Sequence, residues 1–436
     1  MHNMRFYALC VVFFSTFLHQ GLTQEKNWRF YEQASRSAYK NGDIAGFVSN
    51  LEQALALKPN HTRLMYNLAA GYTAQARYDK ALGLLEQVAS TGMAYNAVQS
   101  PAFTVLRDST AFNLRFESLC KRFEESKKPV GTSIEVFHLA EKGLITESVA
   151  YDPLEKTFYV SSVHKRKIVK IAANGTTTDF SQTSDNCWGV LGMKVDAKRR
   201  KLWVCTTAFP QMQGYDSTLK GKAALMQYNL KTGKLAHRYF APNNGQIHAF
   251  GDLALHPKTG LPFVSDSDSP TIFTVNEKSD TLVAWLQSDA ATLPSLQGLD
   301  FTPDGKTLFC ADYSNGLFAV DGVKKTILHL PTPDSCVVSG TDGLYFYKGN
   351  LIGIQNGTNP HRVVRFRLNK AQSRIEGINI LEANNPLFDE PTLGVVVGDE
   401  LFYVANSQWE KVSDKGVAAA ESDWKAHCVL RRKISR

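Results

Sequence analysis

Six stretches of the chain repeat one plan: a small or polar residue, alternating apolar residues, a turn, then a second β-branched and aromatic run. They begin at Glu147 (ESVAYDPLEKTFYVSS), Leu191 (LGMKVDAKRRKLWVCT), Gly251 (GDLALHPKTGLPFVSD), Gln297 (QGLDFTPDGKTLFCAD), Asp342 (DGLYFYKGNLIGIQ) and Thr392 (TLGVVVGDELFYVAN). Their starts lie 44, 60, 46, 45 and 50 residues apart. Period-two alternation closed by turn residues specifies a hairpin, and about 40–50 residues is the length of a four-stranded blade. Residues 132–436 are therefore expected to form an all-β six-bladed β-propeller. The long second interval holds an insert, Phe209 to Lys222. The leading run Thr132-Ser-Ile-Glu-Val-Phe-His and the final run Cys428-Val-Leu-Arg are expected to pair in one blade, which removes an exposed sheet edge.

Upstream, the period changes from strand to helix. Ala38, Phe47, Leu51 and Ala54 recur 34 residues later as Tyr72, Ala81, Leu85 and Val88. With Leu68-Ala69-x-x-Tyr72, Tyr78-x-x-Ala81 and Pro59 between the units, this resembles the tetratricopeptide repeat. A third, degenerate unit runs from Phe103-Thr-Val-Leu106 to Phe116-Glu-Ser-Leu119. A small all-α repeat domain over residues 24–125 is expected, joined to the propeller by a charged, proline-containing linker at 126–131.

Residues 1–23 carry Arg5, the apolar run from Leu9 to Leu18, and a small-residue exit at Gly21-Leu22-Thr23. That is the pattern of a secretory signal, and the apolar run is too short to span a bilayer. An exported chain, periplasmic or extracellular, is expected. Of seven cysteines, six follow the signal, with no tightly spaced pair. An even number permits disulfides in an oxidising compartment; buried free thiols are the other reading. Asn60, Asn174 and Asn356 head glycosylation sequons. The formal charge of +8 is spread over separated clusters such as Lys165-Arg166-Lys167 and Arg431-Arg432-Lys433 without a nucleic-acid-binding motif, which reads as solvated surface and excludes nucleic acid as partner.

In a propeller the inner-strand starts and the second-strand ends surround one mouth of the channel. The starts are Glu147, Leu191, Gly251, Gln297, Asp342 and Thr392; the ends are Ser162, Thr206, Asp266, Asp312, Gln355 and Asn406. The loops that follow bring His164, Asp268, Tyr313, Asn356, His361 and Trp409 to the rim, and His248 precedes the third inner strand. Ser162, Thr206, Asp266, Asp312 and Asn406 are placed to cap backbone amides. Asp312, Asn356, Asn406 and Trp409 are also candidate ligand contacts, Trp409 by stacking. Glu147, Gln297 and Asp342 point into a narrow channel, where two carboxylates and an amide suit a hard cation, Ca²⁺ or Mg²⁺, or a water-filled polar channel. The insert follows a second strand, so it is expected to reach over the same mouth as a partial lid, with Gly214 and Gly221 to let it move.

The segments GLDFTPDGKTLFCADYS (298–314) and GDLALHPKTGLPFVSDS (251–267) resemble the senescence-marker-protein/gluconolactonase/luciferin-regenerating-enzyme family, over roughly residues 132–436. The resemblance implies one divalent cation at the channel mouth and hydrolysis of lactones or esters. The family's pattern places a Glu in the first blade, matched by Glu147; Leu191 and Gly251 stand where it has Asn, and Gln297 where it has Asp. Joined with the channel reading, which adds Asp342, it makes Glu147, Gln297 and Asp342 the expected metal ligands, with His248 or Asp252 handling the proton while the cation polarises a carbonyl. Asp252, Asp342, Gln355, Glu390 and Asn406 are the groups able to rebuild a site around Glu147. The passages 352–368 and 388–409 are similar to a bacterial subgroup of exported propellers with an N-terminal helical-repeat region. Two functions stand: a cation-dependent hydrolase of a small ester or lactone, and a non-catalytic binding protein that holds a peptide, glycan or envelope partner through the propeller face and the repeats.

Overall fold

The structure, a computed structural model, describes residues 27–435. The export signal expected over 1–23 lies outside the described residues. The chain divides into two compact units, Met1–Ala81 and Leu82–Arg436. Among the described residues no helix is long and apolar enough to cross a membrane.

The first unit is helical: α1 (Trp28–Lys40), α2 (Ile44–Leu57) and α3 (Thr62–Ala74). Each starts where a side chain satisfies free backbone N–H groups. Asn27 Oδ1 accepts from the N–H groups of Arg29 and Phe30, both at 3.1 Å, and Asp43 Oδ1 accepts from Gly46 at 2.8 Å. Phe47, Leu51 and Ala54 of the repeat pattern are buried, while Ala38 is half-buried. At Gly71 a Cβ would stand 2.6 Å from Val48 Cγ2, so this glycine sets how closely α3 approaches α2. The helix α4 (Tyr78–Ser90) crosses the boundary between the units.

The second unit begins with the rest of α4, the short α5 (Thr104–Asp108) and α6 (Asn113–Glu125). Phe103, Leu106, Phe116 and Leu119 of the degenerate repeat are all buried there. This helical segment is fastened to the fifth blade. Ala94 N–H donates to Asn359 O at 2.7 Å, and Asn359 Nδ2 returns a bond to Ala94 O at 3.0 Å. The stretch expected as a linker is held in the same way: Val130 bridges Ala383, and Asn384 Nδ2 donates to the carbonyls of Ser126 and Lys128.

The remainder is six four-stranded antiparallel sheets. The inner strands are Val149–Asp152, Gly189–Asp196, Phe250–Leu255, Leu296–Phe301, Thr341–Tyr347 and Gly394–Val397. Five blades are chain-sequential meanders; the sixth is completed by Ile134–Leu139, which pairs with His427–Lys433 from Ile134↔Arg431 to Leu139↔His427. The two ends of the propeller thus close the ring as the sequence indicated. Six apolar clusters fill the spaces between blades; five are built from two neighbours, including one shared by the first and last blades around Val149, Val160, Phe402 and Val429, and the sixth joins the second and third blades to Ile145 and Val163 of the first and Val412 and Trp424 of the last. All six cysteines among the described residues are free, four of them buried.

Candidate functional site

The strand register slips at the same place in four inner strands: Val190/Met193, Phe250/Leu253, Leu296/Leu299 and Thr341/Gly343. A bulge bends a strand and re-aims its side chains. Here it takes Asp252, Gln297 and Asp342 out of the blade-to-blade packing. Glycines next to the bulges bring neighbouring inner strands together: a Cβ on Gly192 would stand 2.7 Å from Asp252 Cα, and one on Gly298 would stand 2.4 Å from Asp342 O.

At the mouth the first, fifth and sixth blades meet. Trp409 Nε1 donates to Glu147 Oε2 at 2.7 Å, and Asn356 Nδ2 donates to Asp342 Oδ2 at 2.8 Å while Tyr313 Oη donates to Asn356 Oδ1 at 3.0 Å. Burial first, and the Asp342 charge second, hold Glu147 well above the ordinary carboxylate range. Burial with the charges of Glu390 and Asp252 pushes Asp342 up to about 8. Glu390 itself is raised to about 7 by burial and by Asp389 and Glu410. Carboxylates crowded out of water cannot all remain charged without a cation or protons.

One layer deeper, Lys194 of the second blade lies with its Nζ 3.5 Å from Asp252 Oδ1 of the third and 5.3 Å from the ring centre of Tyr345 in the fifth. The second and fifth blades are opposite in a six-membered ring, so this contact spans the central channel. Asp300 of the fourth blade accepts from Phe301 N–H at 2.9 Å and Phe346 N–H at 2.8 Å, and burial raises it to about 6.

The other candidates fall in two groups. Gln297 lies beside the bulge, its Nε2 donating to Ser295 Oγ at 3.2 Å. His248 is buried with both ring nitrogens engaged, Nδ1 2.6 Å from Asp266 Oδ2 and Nε2 3.1 Å from Asn244 Oδ1. Asp312 accepts from the backbone of Ser295, Ser314 and Asn315, and Asn406 exchanges bonds with Ala426 O and Cys428 N–H. These are the capping bonds their positions suggested. Of the four proposed ligand contacts, Asn356 and Trp409 hydrogen-bond the mouth carboxylates. The insert packs Phe209 edge-on against Trp409, 5.9 Å between ring centres. It is fastened on both sides: His164 Nδ1 lies 2.5 Å from Gln211 O, and Gln211 Nε2 donates to Asp414 at 3.1 Å. With those ties it is a wall of the mouth rather than a free flap.

Lys194 and Tyr345 escaped the sequence reading, and Phe209 entered it only as the start of the insert. Lys194 carried a signal, since it occupies an inner-strand position where the first and third blades have Ala150 and Ala254. As a cation site, the mouth offers hard oxygen donors from Glu147 and Asp342, two buried carboxylates whose like charges a cation would neutralise. Among the described residues no group of three or more His, Cys, Asp or Glu side chains is arranged to hold a metal ion.

No protein-family profile matches the chain, and no curated protein matches it. Among solved structures it is similar to a gluconolactonase from Xanthomonas campestris, at 14% identity and a TM-score of 0.45 over 70% of this chain and 98% of that one. It is similar to a luciferin-regenerating enzyme at 13% identity and a TM-score of 0.46, over 70% of this chain and 95% of the other. A chain of a nidogen/laminin complex is similar at 15% identity and a TM-score of 0.39, over 55% of this chain and 86% of that one. The six-bladed ring rests on the strand order of this chain itself.

Proposed function

We propose that the chain is an exported hydrolase of small esters or lactones, working at the propeller mouth with a divalent cation, Ca²⁺ or Mg²⁺. The observation that carries this reading is the pair Glu147 and Asp342, two carboxylates from the first and fifth blades, buried at 8% and 7% exposure. Glu147 and Asp342 would hold the ion, with the Gln297 amide oxygen at the same level. When bound, the ion supplies Lewis acidity toward a carbonyl. The chain's own residues do the rest. Trp409 orients Glu147, Asn356 orients Asp342, and the Phe209–Trp409 pair narrows the entrance against water. Asp252 takes the proton of the attacking water, since His248 has both nitrogens committed within its own blade. The carboxylate-rich wall favours uncharged substrates over anionic ones.

The test is a panel of small esters and lactones assayed before and after chelation and after restoring Ca²⁺ or Mg²⁺. Turnover that disappears with the cation and returns with it supports the reading. A protein that turns over nothing and binds a peptide or glycan unaffected by chelation is the non-catalytic binding protein instead.

A further inference from the structure

We propose that the cavity between the turn after α4 and the outer half of the fifth blade binds a small carboxylate carrying a short apolar chain. The site lies on the outside of the ring and does not rest on the hydrolase reading of the mouth.

The cavity has a volume of about 350 Å³. Its walls come from the turn at 90–92, from the loop leading into the fifth blade, and from that blade's two outer strands, Arg362–Leu368 and Ile375–Ala383. Arg362 stands directly behind this wall. Its guanidinium reaches Thr91 O at 3.4 Å and Val337 O at 3.2 Å, and Thr91 and Cys336 both line the cavity. Its third partner is Gln355 Oε1 at 2.6 Å, so every partner is a neutral oxygen. Burial lowers this group only to about 10, which leaves it charged at neutral pH. A fully buried charge with no counter-charge is costly.

A second guanidinium lines the cavity itself. Arg367 pairs across the strands with Gly377, and its side chain lies in the space that a Cβ on Gly377 would fill. No carboxylate is paired with either arginine among the described residues; Glu376, which also lines the cavity, is paired with Arg374 at 3.2 Å. Nor does the thiol supply a negative charge, because burial holds Cys336 above its ordinary range and keeps it protonated. Two positive charges therefore converge on a cavity that lacks an anion of its own.

The wall chemistry selects the anion. Arg367 can offer two parallel N–H donors, which match the two oxygens of a carboxylate. Arg362 is covered and acts through its field alone. Ser90 and Thr91 have already given their hydroxyl protons to Gln87 O at 2.7 Å and Val88 O at 2.6 Å. A phosphate, with more oxygens to satisfy, would find too few donors here. Pro333, Ile378 and Ile380 provide the apolar wall for the chain.

Cys336 serves as the reporter on the full, unaltered chain. Its labelling rates with anionic sulfonatoethyl methanethiosulfonate and cationic trimethylammonioethyl methanethiosulfonate are read by peptide mass mapping. Relative to 2-mercaptoethanol, Cys336 should favour the anionic reagent by about 10-fold. Cys120, in a cavity lined by Glu117, Glu124 and Glu125, should show no such preference in the same molecules. Hexanoate should protect Cys336, whereas hexanamide, and sodium chloride at the same ionic strength, should not. Arg367→Gln, at an exposed strand position, should remove most of the preference and the protection. A charge preference equal to that of 2-mercaptoethanol, or no labelling by either reagent, overturns the anion site. Protection by inorganic phosphate as strong as by hexanoate overturns the ligand class, and protection that survives Arg367→Gln overturns the role given to that guanidinium.

Discussion

At the scale of single residues, the channel is a stack of acids whose protonation is set by burial. Two predictions belong here. If a cation joins Glu147 and Asp342, it binds only the folded chain and stabilises it, so chelation should lower the melting temperature by several degrees, and Glu147→Gln should abolish the response. A melting temperature indifferent to chelation in the unaltered protein contradicts a cation at that position. The second prediction concerns Asp300, raised from 3.8 to about 6 in the folded state. A carboxyl that binds its proton more tightly when folded contributes stability below the unfolded value and loses it as pH rises through the folded one. Stability should therefore fall between pH 4 and 6 by about 3 kcal/mol from this group. Asp300→Asn should flatten that part of a urea-denaturation pH series; an unchanged slope means that other groups carry it. Much of this layer was open to a reader of the sequence alone. Glu147 and Asp342 were placed in the channel by their position in the hairpin plan, and Trp409 and Asn356 by the loops they occupy. Lys194 was not, because alternation marks which side chains leave a blade interface but not how far a long side chain reaches across the ring. His248 was placed at the mouth, but its commitment to Asp266 and Asn244 depends on a loop conformation that no pattern states.

At the scale of elements, the hairpin plan was legible because each blade repeats the same problem: a strand with one face toward each neighbour and a turn at the bottom. The bulges were not, since a register slip leaves the alternation nearly unchanged while turning Asp252, Gln297 and Asp342 toward the channel. The insert was recognised by its extra length, and its place over the mouth followed from where it leaves its blade. Its fastening to His164 and Asp414 brings together residues distant in the chain, which sequence spacing does not record. Replacing residues 209–222 by a short turn removes Phe209 from Trp409 and frees the ring that holds Glu147. Such a variant should keep the propeller's cooperative unfolding and change kcat/KM on the best ester or lactone by about 10- to 100-fold. An unaltered kcat/KM would mean that the insert lies outside the working site.

At the scale of the whole molecule, ring closure by Ile134–Leu139 explains why the propeller needs its first strand, and the segment from Leu82 onward explains why it needs more. Arg362 is fully buried in the fifth blade, with Gln355 Oε1 at 2.6 Å, Val337 O at 3.2 Å and Thr91 O at 3.4 Å. A fragment of residues 77–436 retains the last of these partners and a fragment of 132–436 does not. The shorter one should be less stable in urea by about 2–3 kcal/mol, since a buried charged donor loses an acceptor and the Val130–Ala383 bridge is gone; equal stability would mean that the helical segment is only tethered. The change of period near residue 131 was legible in the sequence, whereas this helical support was not, because it rests on single hydrogen bonds to loops. The claim that joins these scales is that the mouth between Glu147 and Asp342 is where the chain does its chemistry. Its most direct test is the hydrolysis rate of Asp342→Asn beside the unaltered protein, on the panel substrate turned over fastest, with both shown to melt alike. The account predicts a loss of at least about 100-fold, beyond what removal of a mere supporting partner costs. A variant that folds normally and hydrolyses at the unaltered rate would contradict it.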